Sequence, residues 1–398
     1  MAALPSERFE QARWFGGKGR LLRPVLVDVV ELANGRGLVI AEIAGAEYLL
    51  PVVLETLEEV AASDPLWTEL AGIVCEGLTV GPLQGVPGAQ HELLRNPLGS
   101  RALDADQSHT SVVLGERCVL KCYRQLCDGA NPEVELATHL SAAGMRRIPS
   151  VAGSLRLGDR DVALCQSYVR GAVDGWEGAK RDLASATPRV GEWAAGIGAA
   201  LAEMHRLLIE RDGRPATVAE VNGWADAAAS QLDRALEGAD ESIGWAEPEL
   251  RAQIEVLRGY AGTTVSRVHG DFHVAQVLLR DGLVAAIVDL EGEPGRPLAD
   301  RRSLGTPLRD VAGMVRSFNH VARFVGWKLG KPAQPEIEAW IERARGAFLG
   351  AYGEHHDVDR RLLHSLECEK ATYEFVYAAM YLPYWAEVAS RSLDALVG

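Results

Sequence analysis

The residues best suited to chemistry lie in one segment, VHGDFHVAQVLL, and in the AAIVDLEGEP that soon follows it. Asp271 closes an apolar run, Gln276 comes five residues later, and Asp289 comes 18 residues later, where a second apolar run ends. Phosphoryl transfer needs one Asp to accept the proton of an attacking hydroxyl. It also needs a second Asp and an amide oxygen to hold Mg²⁺, which prefers oxygen ligands. The spacing therefore predicts a phosphoryl-transfer site rather than a simple turn followed by a strand-end carboxylate.

A nucleotide site also requires a cation near the phosphates, and Lys121 in CVLKCY is the candidate. Strand alternation places Lys121 on one face with Val119 and Tyr123. A buried ammonium needs a carboxylate or phosphate partner, so we expect Glu135, on the helix predicted after Asn131, to pair with it. The alternative is an edge-strand lysine that extends to water.

The elements around these residues change character along the chain. Residues 1–85 read as short strands separated by turns such as Asn34-Gly35, and we expect them to form an N-terminal cap. Residues 86–170 read as strands with a single helix, which is typical of a nucleotide-binding part. Residues 171–398 read mainly as amphipathic helices around the strand–loop–hairpin of the HGD motif. The order predicts an α+β fold with a β-rich lobe and a helical lobe, not alternating βαβ units.

Composition narrows the class of protein further. The chain has 398 residues, 47% of them hydrophobic, and a formal net charge of −14, which argues against nucleic acid as the main partner. No run of about 18 apolar residues predicts a transmembrane helix, and the N-terminus lacks a signal-peptide core. The six cysteines have no CxxC spacing. We expect a cytoplasmic protein without a membrane partner, and the sequence gives no oligomeric state.

Several motifs together resemble the actinobacterial maltokinase family, whose kinases share the two-lobed aminoglycoside-phosphotransferase fold related to protein kinases. The matching segments cover most of the chain: RWFGGKGR, DADQSHTSVVL, LKCYR, NPEVEL, VHGDFHVAQVLL, IVDLEGEPGRPLADRR, PLRDVAGMVRS and EKATYEFVY. The resemblance implies ATP and Mg²⁺ as cofactors, Asp271 as the catalytic base, and Gln276 and Asp289 as metal ligands. It implies nucleotide binding by a phosphate loop, a Lys–Glu pair and an adenine hinge, comprising Gln107, Ser108, Thr110, Ser111, Lys121, Glu135, Gln166, Ser167, Tyr168 and Val169.

The acceptor pocket is where the sequence departs from maltokinases. Its late segment YEFVYAAMYLPYWAEV lacks the Arg-containing stretch that maltokinases tend to carry before Pro-x-Trp. Related kinases in this group phosphorylate glucosamine, and an acidic, aromatic pocket without arginine suits an ammonium sugar. The candidate sugar contacts are Asp271, His273, Glu291, Glu374, Tyr377, Tyr381, Trp385, Asp174 and Trp176.

The sequence thus predicts a sugar kinase that converts D-glucosamine to glucosamine 6-phosphate. Maltose, giving maltose 1-phosphate, is the second choice of acceptor, and an aminoglycoside antibiotic is the third. A nucleotide-binding pseudokinase regulator is the alternative from another class. It would be expected to lack Asp271, Lys121 or Asp289, and all three are present.

Overall fold

A computed structural model describes Phe15 and residues 24–103, 109–238, 243–293, 296–328 and 335–381, together with Leu393 and Leu396. For residues 376–381 it describes the helix but not the side chains. The chain divides into two compact units, residues 1–170 and 171–398. No helix among the described residues is long and apolar enough to cross a membrane.

The described part of the first unit consists of antiparallel sheets and two α-helices. Four of its described strands form one sheet in the order β1-β2-β3-β4, and seven form another in the order β5-β6-β10-β11-β9-β8-β7. The strands are β1 Val25–Glu31, β2 Arg36–Ile43, β3 Ala46–Val53, β4 Glu58–Glu59, β5 Thr79–Val80, β6 Leu83–Pro87, β7 Ser100–Ala102, β8 Thr110–Leu114, β9 Cys118–Cys122, β10 Val151–Leu157 and β11 Arg160–Ser167. The helices are α1 Leu66–Glu76 and α2 Pro132–Ala142.

The predicted boundary after residue 85 falls inside β6. That strand pairs with β10 from residue 83 to residue 87, so the end of the predicted cap is part of the seven-stranded sheet. Helix α1 packs on this sheet, and its Leu70 and Val74 share one buried core with Leu120 and Leu155. The core holds β9 firmly, which matters because β9 carries Lys121.

The second unit is mainly helical, with short strand pairs. Its strands are β12 Val173–Asp174, β13 Arg214–Pro215, β14 Thr264–Val265, β15 Val277–Arg280 and β16 Leu283–Ile287. Its helices are α3 Gly175–Ala184, α4 Val190–Asp212, α5 Val218–Gly238, α6 Glu247–Val256, α7 Leu298–Arg301, α8 Leu308–Lys328, α9 Pro335–Gly353 and α10 Arg360–Tyr381.

Helix α8 is the central element of this unit. Its Phe318 is fully buried and contacts Trp193 of α4 and Phe348 of α9, with ring centroids 5.9 and 5.8 Å apart. Edge-to-face aromatic packing of this kind fixes helices relative to one another. Helix α8 is therefore a rigid support for the loop that packs against it, which contains the HGD motif.

Candidate active site

The HGD loop, residues 268–276, connects β14 to β15 and is held by backbone hydrogen bonds to one buried carboxylate. Asp310, at the start of α8, is 1% exposed. Its Oδ2 accepts from the backbone N–H of His269 at 2.8 Å, and its Oδ1 accepts from the N–H of Gly270 at 2.9 Å. His205 of α4 contacts Oδ2 through Nε2 at 2.9 Å. The backbone on the N-terminal side of Asp271 is therefore fixed.

The charge of Asp310 is stabilised where it lies. Burial alone would raise its pKa, but the hydrogen bond from His205, nearby histidine charge and the Gly270 N–H together lower the pKa below its ordinary value. His205 is positioned in turn by the hydroxyl of Tyr352, which lies 2.9 Å from Nδ1. The chain Tyr352–His205–Asp310 therefore connects α9 and α4 to the HGD loop.

Two glycines allow the close approach of loop and helix. Gly270 has φ of +85°, in the left-handed region that favours glycine. A Cβ on Gly313 of α8 would lie 2.6 Å from the carbonyl oxygen of Phe272, so only glycine permits this contact. Ser317, one turn further along α8, accepts a hydrogen bond from the N–H of Val274 at 3.1 Å. The loop is thus held on both sides of Asp271.

The predicted metal ligands lie together in the structure. Gln276 donates through Nε2 to Oδ2 of Asp289 at 3.1 Å. The ring of His269 contacts the carbonyl oxygen of Val288 at 2.9 Å, and this ties the HGD motif to the strand end before Asp289. Asp289 has φ of +67°, an uncommon conformation for a residue with a side chain, though Asp and Asn tolerate it best. An amide and a carboxylate in contact form a donor set that fits Mg²⁺.

Asp271 has two charged or titratable neighbours among the described side chains. The Nζ atom of Lys370 on α10 lies 3.5 Å from Oδ1, and Nε2 of His273 lies 3.8 Å from Oδ2. Burial lowers the pKa of His273, and the carboxylate of Asp271 opposes that shift without cancelling it. His273 therefore favours its neutral form, and the ammonium of Lys370 is the positive charge next to Asp271.

Lys370 is itself held in a buried ionic cluster. Its Nζ lies 2.5 Å from Oε1 of Glu293 and 4.6 Å from the ring centroid of Tyr373. Burial would lower the pKa of Lys370, but Glu293 and Asp271 raise it well above its usual value. Burial would likewise raise the pKa of Glu293, but Lys370 and Arg296 lower it to about 2. Both groups are therefore charged at neutral pH.

Glu374 lies one helical turn after Lys370 on α10, but it is not an isolated carboxylate. Its Oε2 accepts from Arg316 of α8 and lies 3.2 Å from Nε2 of His320. Burial would raise its pKa, but Arg316 and His320 lower it to about 2. From the described residues Oε1 receives one long contact, 3.4 Å from Nε of Arg316, and so retains capacity to accept. The expectation of an arginine-free pocket is wrong, because Arg316 lies beside Glu374.

In the first unit, Lys121 is buried and its Nζ lies 2.6 Å from Oε2 of Glu133. The hydroxyl of Tyr123 donates to the same oxygen at 3.0 Å. Glu133 is therefore a partner of Lys121 that the sequence analysis did not name, while the pairing of Lys121 with Glu135 stays a prediction. The side chain of Asn131 caps α2 by accepting from the N–H of Glu133, which fixes where the helix begins. Residues two apart lie about 200° apart around a helix, so Glu133 and Glu135 face different directions.

The other predicted nucleotide contacts are partly engaged within this unit. Thr110 accepts from Nε of buried Arg124 at 2.7 Å through its hydroxyl, and Ser111 lies opposite Lys121 in the β8–β9 pair. The N–H groups of Ser167 and Tyr168 donate to the carbonyls of Ser150 and Arg117. Those two N–H groups are thus used within the protein. Gln166 lies opposite Val119 one residue before the end of β11, and Val169 follows that strand. Gln107 and Ser108 lie outside the described residues.

The remaining predicted sugar contacts differ in where the structure places them. Glu291 lies 3.9 Å from Arg301. Asp174 caps α3 by accepting from the N–H of Glu177, and Trp176 packs on Phe324 with ring centroids 5.6 Å apart. These contacts give Asp174 and Trp176 structural roles. Tyr377 and Tyr381 lie on α10 with side chains outside the description, and Trp385 lies outside the described residues altogether.

Asp310, Lys370 and Glu133 are the site residues that sequence reasoning missed. Asp310 had a usable signal, because an Asp within the apolar run of PLRDVAGMV must be buried and therefore paired. No sequence signal pointed to Lys370, since a lysine on an amphipathic helix is ordinarily exposed.

We expect Asp310→Asn to destabilise the protein and to reduce turnover strongly. The amide keeps one acceptor oxygen, but its NH₂ group faces donors that Asp310 now satisfies. Leaving a buried donor unsatisfied costs about 1–3 kcal/mol. Denaturant unfolding and kcat measure the two effects. Tyr352→Phe is the matched control, because it removes only the outer hydroxyl contact to His205 and should cost less. An Asp310→Asn variant with unchanged unfolding and turnover would contradict the anchoring role.

Comparison with known proteins assigns the class. Residues 100–360 match the phosphotransferase enzyme family, and the chain therefore belongs to that family. The match confirms the predicted kinase resemblance and, with the structural similarity below, the α+β kinase-like fold.

Within that class the chain is most informatively compared with glucosamine kinases. It is 34% identical over 325 residues to the glucosamine kinase of Streptacidiphilus jiangxiensis, covering 75% of this chain and 74% of that protein. It is 32% identical over 325 residues to the glucosamine kinase of Mycolicibacterium smegmatis, covering 75% of this chain and 80% of that protein. A solved glucosamine kinase in complex with glucosamine, ADP and inorganic phosphate matches with a TM-score of 0.77 at 27% identity over 100% of both chains. A crystal form of a glucosamine kinase matches with a TM-score of 0.79 at 27% identity over 94% of both chains.

Proposed function

We propose that this protein is an ATP- and Mg²⁺-dependent glucosamine kinase that forms glucosamine 6-phosphate. The observation that carries the proposal is the HGD loop, in which Nε2 of His273 lies 3.8 Å from Oδ2 of Asp271 and 3.4 Å from Nε2 of Gln276. The amide of Gln276 in turn contacts Asp289. The similarity to glucosamine kinases over three quarters of the chain supports the same acceptor.

Asp271 acts as the base that receives the acceptor proton. As the sugar hydroxyl oxygen bonds to the γ-phosphorus of ATP, the bond from that phosphorus to the β–γ bridging oxygen breaks. ADP leaves with the electron pair of that bond, and the hydroxyl proton passes to Asp271. Lys370 lies 3.5 Å from Oδ1 of Asp271 and His273 lies 3.8 Å from Oδ2, so these two side chains position the carboxylate for the acceptor. Correct positioning supplies much of the rate enhancement in such a reaction.

Gln276 and Asp289 are the residues that would hold Mg²⁺. When bound, the metal would neutralise charge on the phosphate oxygens. Nε2 of Gln276 lies 3.1 Å from Oδ2 of Asp289, so a turn of the amide group would bring its oxygen to an ion held by Asp289. Lys121, whose buried Nζ contacts Glu133, is the residue that would contact the nucleotide phosphates.

Glu374 is the proposed partner of the C2 ammonium of glucosamine. Arg316 and His320 occupy its Oε2 and fix the carboxylate on α10, while Oε1 retains capacity to accept a hydrogen bond. A charge-assisted hydrogen bond to Oε1 would favour glucosamine over glucose, which carries a hydroxyl at that carbon.

The direct test is an assay with ATP, Mg²⁺ and a panel of glucosamine, glucose, maltose and an aminoglycoside. We expect glucosamine to have the highest kcat/KM and the product to carry phosphate at C6, as read by ³¹P and ¹H NMR. A preference for maltose of more than tenfold would contradict the proposed acceptor. Absence of transfer to any sugar, with ATP still bound, would instead favour the pseudokinase alternative.

Glu374→Gln should lower kcat/KM for glucosamine and narrow the gap to glucose. The lost charge-assisted hydrogen bond corresponds to about 10–150-fold in discrimination. The measurement is kcat/KM for glucosamine and glucose on both proteins. Because the change also leaves the buried guanidinium of Arg316 less compensated, its unfolding must be measured alongside. His320→Gln is the matched control, since it alters the same cluster but removes no carboxylate. A variant that changes kcat/KM for both sugars equally would remove Glu374 from this role.

A further inference from the structure

A cavity of about 500 Å³ lies within the helical unit, beside the HGD loop. The backbone of Gly270 and the ring of Phe272 border it, and α5 and α10 contribute Trp224 and Glu369. The described residues that line it do not include Asp271, His273 or Glu374, which are three of the predicted acceptor contacts. The volume lies within the range of small-molecule sites. The cavity therefore does not contain these proposed acceptor contacts, although it borders Lys370, which contacts Asp271.

One buried carboxylate oxygen in this cavity lacks a partner. Glu369 is 7% exposed, and its Oε1 accepts from Nη1 of Arg309 at 2.7 Å. Its Oε2 is also buried, yet no described residue donates a hydrogen bond to it. Buried carboxylate oxygens normally have donors, because an unsatisfied one forfeits its hydration. A ligand that supplies a donor at this point, above all a charged one, would satisfy it.

An aromatic face lies next to that carboxylate. The guanidinium carbon of Arg309 lies 5.3 Å from the ring centroid of Trp224, while the same guanidinium binds Glu369. Arg309 therefore connects the ring and the carboxylate. An aromatic ring beside a carboxylate is an arrangement suited to a sugar: the ring packs on the apolar face, and the oxygen accepts from a polar substituent.

The charge of the cavity decides between an anionic and a cationic ligand. Its described lining includes four basic side chains, but it also includes five acidic ones: Arg296, Arg301, Arg309 and Lys370 against Glu220, Glu293, Asp300, Asp310 and Glu369. Lys370 and Arg296 both contact Glu293, and Arg309 contacts Glu369. The cations are thus compensated, and the unsatisfied atom is an acceptor. The net negative charge of the lining would repel a phosphate group and attract an ammonium group.

We propose that this cavity binds a sugar ring carrying an ammonium group, at a site separate from the acceptor site. The ammonium donates to Oε2 of Glu369, and the ring packs against Trp224. Glu369 precedes Lys370 on α10, and Lys370 contacts Asp271, so a ligand here lies next to the residues that position the catalytic carboxylate.

The test is the number of glucosamine molecules bound per chain, measured by equilibrium dialysis and calorimetry on the full chain without ATP. We expect two for the wild type and one for Glu369→Gln and for Trp224→Ala. Glu367→Gln is the matched control: Glu367 is also buried on α10 and bound to an arginine, Arg345, but it does not line the cavity. This control should retain both sites. Glucose should bind the cavity at least about tenfold more weakly than glucosamine, because it lacks the charged donor.

Three outcomes would overturn the inference. One is a stoichiometry of one that persists in Glu369→Gln. Another is loss of all glucosamine binding in Glu369→Gln together with a raised KM, which would make the cavity the acceptor site itself. The third is binding of inorganic phosphate but not of glucosamine at the cavity. Thermal unfolding of both cavity variants, which alter different helices, separates misfolding from loss of a ligand contact. The sugar-panel assay tests the proposed function independently, so either proposal can fail while the other stands.

Discussion

Asp271→Asn should abolish phosphoryl transfer while leaving nucleotide binding largely intact. The amide has the shape of the carboxylate but can neither take the acceptor proton nor carry the charge that Lys370 now balances. General-base catalysis contributes about 10²–10⁴-fold, so kcat should fall within or beyond that range. The measurement combines steady-state turnover with calorimetric titration of ATP·Mg²⁺. Nucleotide affinity within a few-fold of the wild type, beside the loss of turnover, is the expected pattern.

Asp281→Asn is the matched control for that experiment. Asp281 lies in the turn between β15 and β16, is exposed, and has φ of +54°, which Asn adopts as readily as Asp. The control should therefore leave both kcat and nucleotide affinity unchanged. A kcat for Asp271→Asn within tenfold of the wild type would show that another group receives the proton.

The spacing of chemically distinctive residues predicted that Gln276 and Asp289 lie together. Asp271, Gln276 and Asp289 are placed by short connections of fixed length, so their proximity follows from one hairpin and the loop before it. Local sequence carries such information because few backbone paths join an apolar strand to its neighbour over so few residues. The α+β fold follows similarly from the order of strand and helix patterns. The boundary predicted after residue 85 is different, because β6 spans it and pairs with a strand from much later in the chain.

The residues that were missed or misassigned depend on contacts distant in sequence or on helix rotation. Glu133 and Glu135 are both acidic and both near the start of α2, and the contact of Glu133 with Lys121 depends on the rotation of that helix, which begins at the Asn131 cap. Lys370 reaches Asp271 across 99 residues of sequence. The Arg316–Glu374 pair joins two helices that the pattern predicts separately. Periodicity identifies a helix face but not the partner helix that covers it, so these ion pairs required the structure.

Removal of Asp289 should produce the second large effect, a loss of activity that added Mg²⁺ only partly restores. Residues that merely orient metal ligands typically contribute 10–100-fold to metal affinity or activity, so loss of a ligand should raise the Mg²⁺ requirement at least about 100-fold. The substitution must respect the backbone, because Asp289 has φ of +67° and alanine there adds strain of about 1–2 kcal/mol. Asp289→Gly removes the carboxylate and accepts this φ without strain. It is therefore a cleaner test than Asp289→Ala.

Asp289→Asn completes the series, because it keeps the backbone preference and one oxygen donor while removing the charge. If Asp289 ligates the metal, the Mg²⁺ requirement should rise from wild type to Asn and rise again from Asn to Gly, with Ala close to Gly. If the backbone conformation were the only role, Asn and Gly would both resemble the wild type and only Ala would be impaired. Titration of Mg²⁺ in the turnover assay, with calorimetric binding of ATP at each Mg²⁺ concentration, distinguishes the two orders. A Gly variant with the wild-type requirement would remove Asp289 from the metal site and leave Gln276 as its remaining predicted ligand.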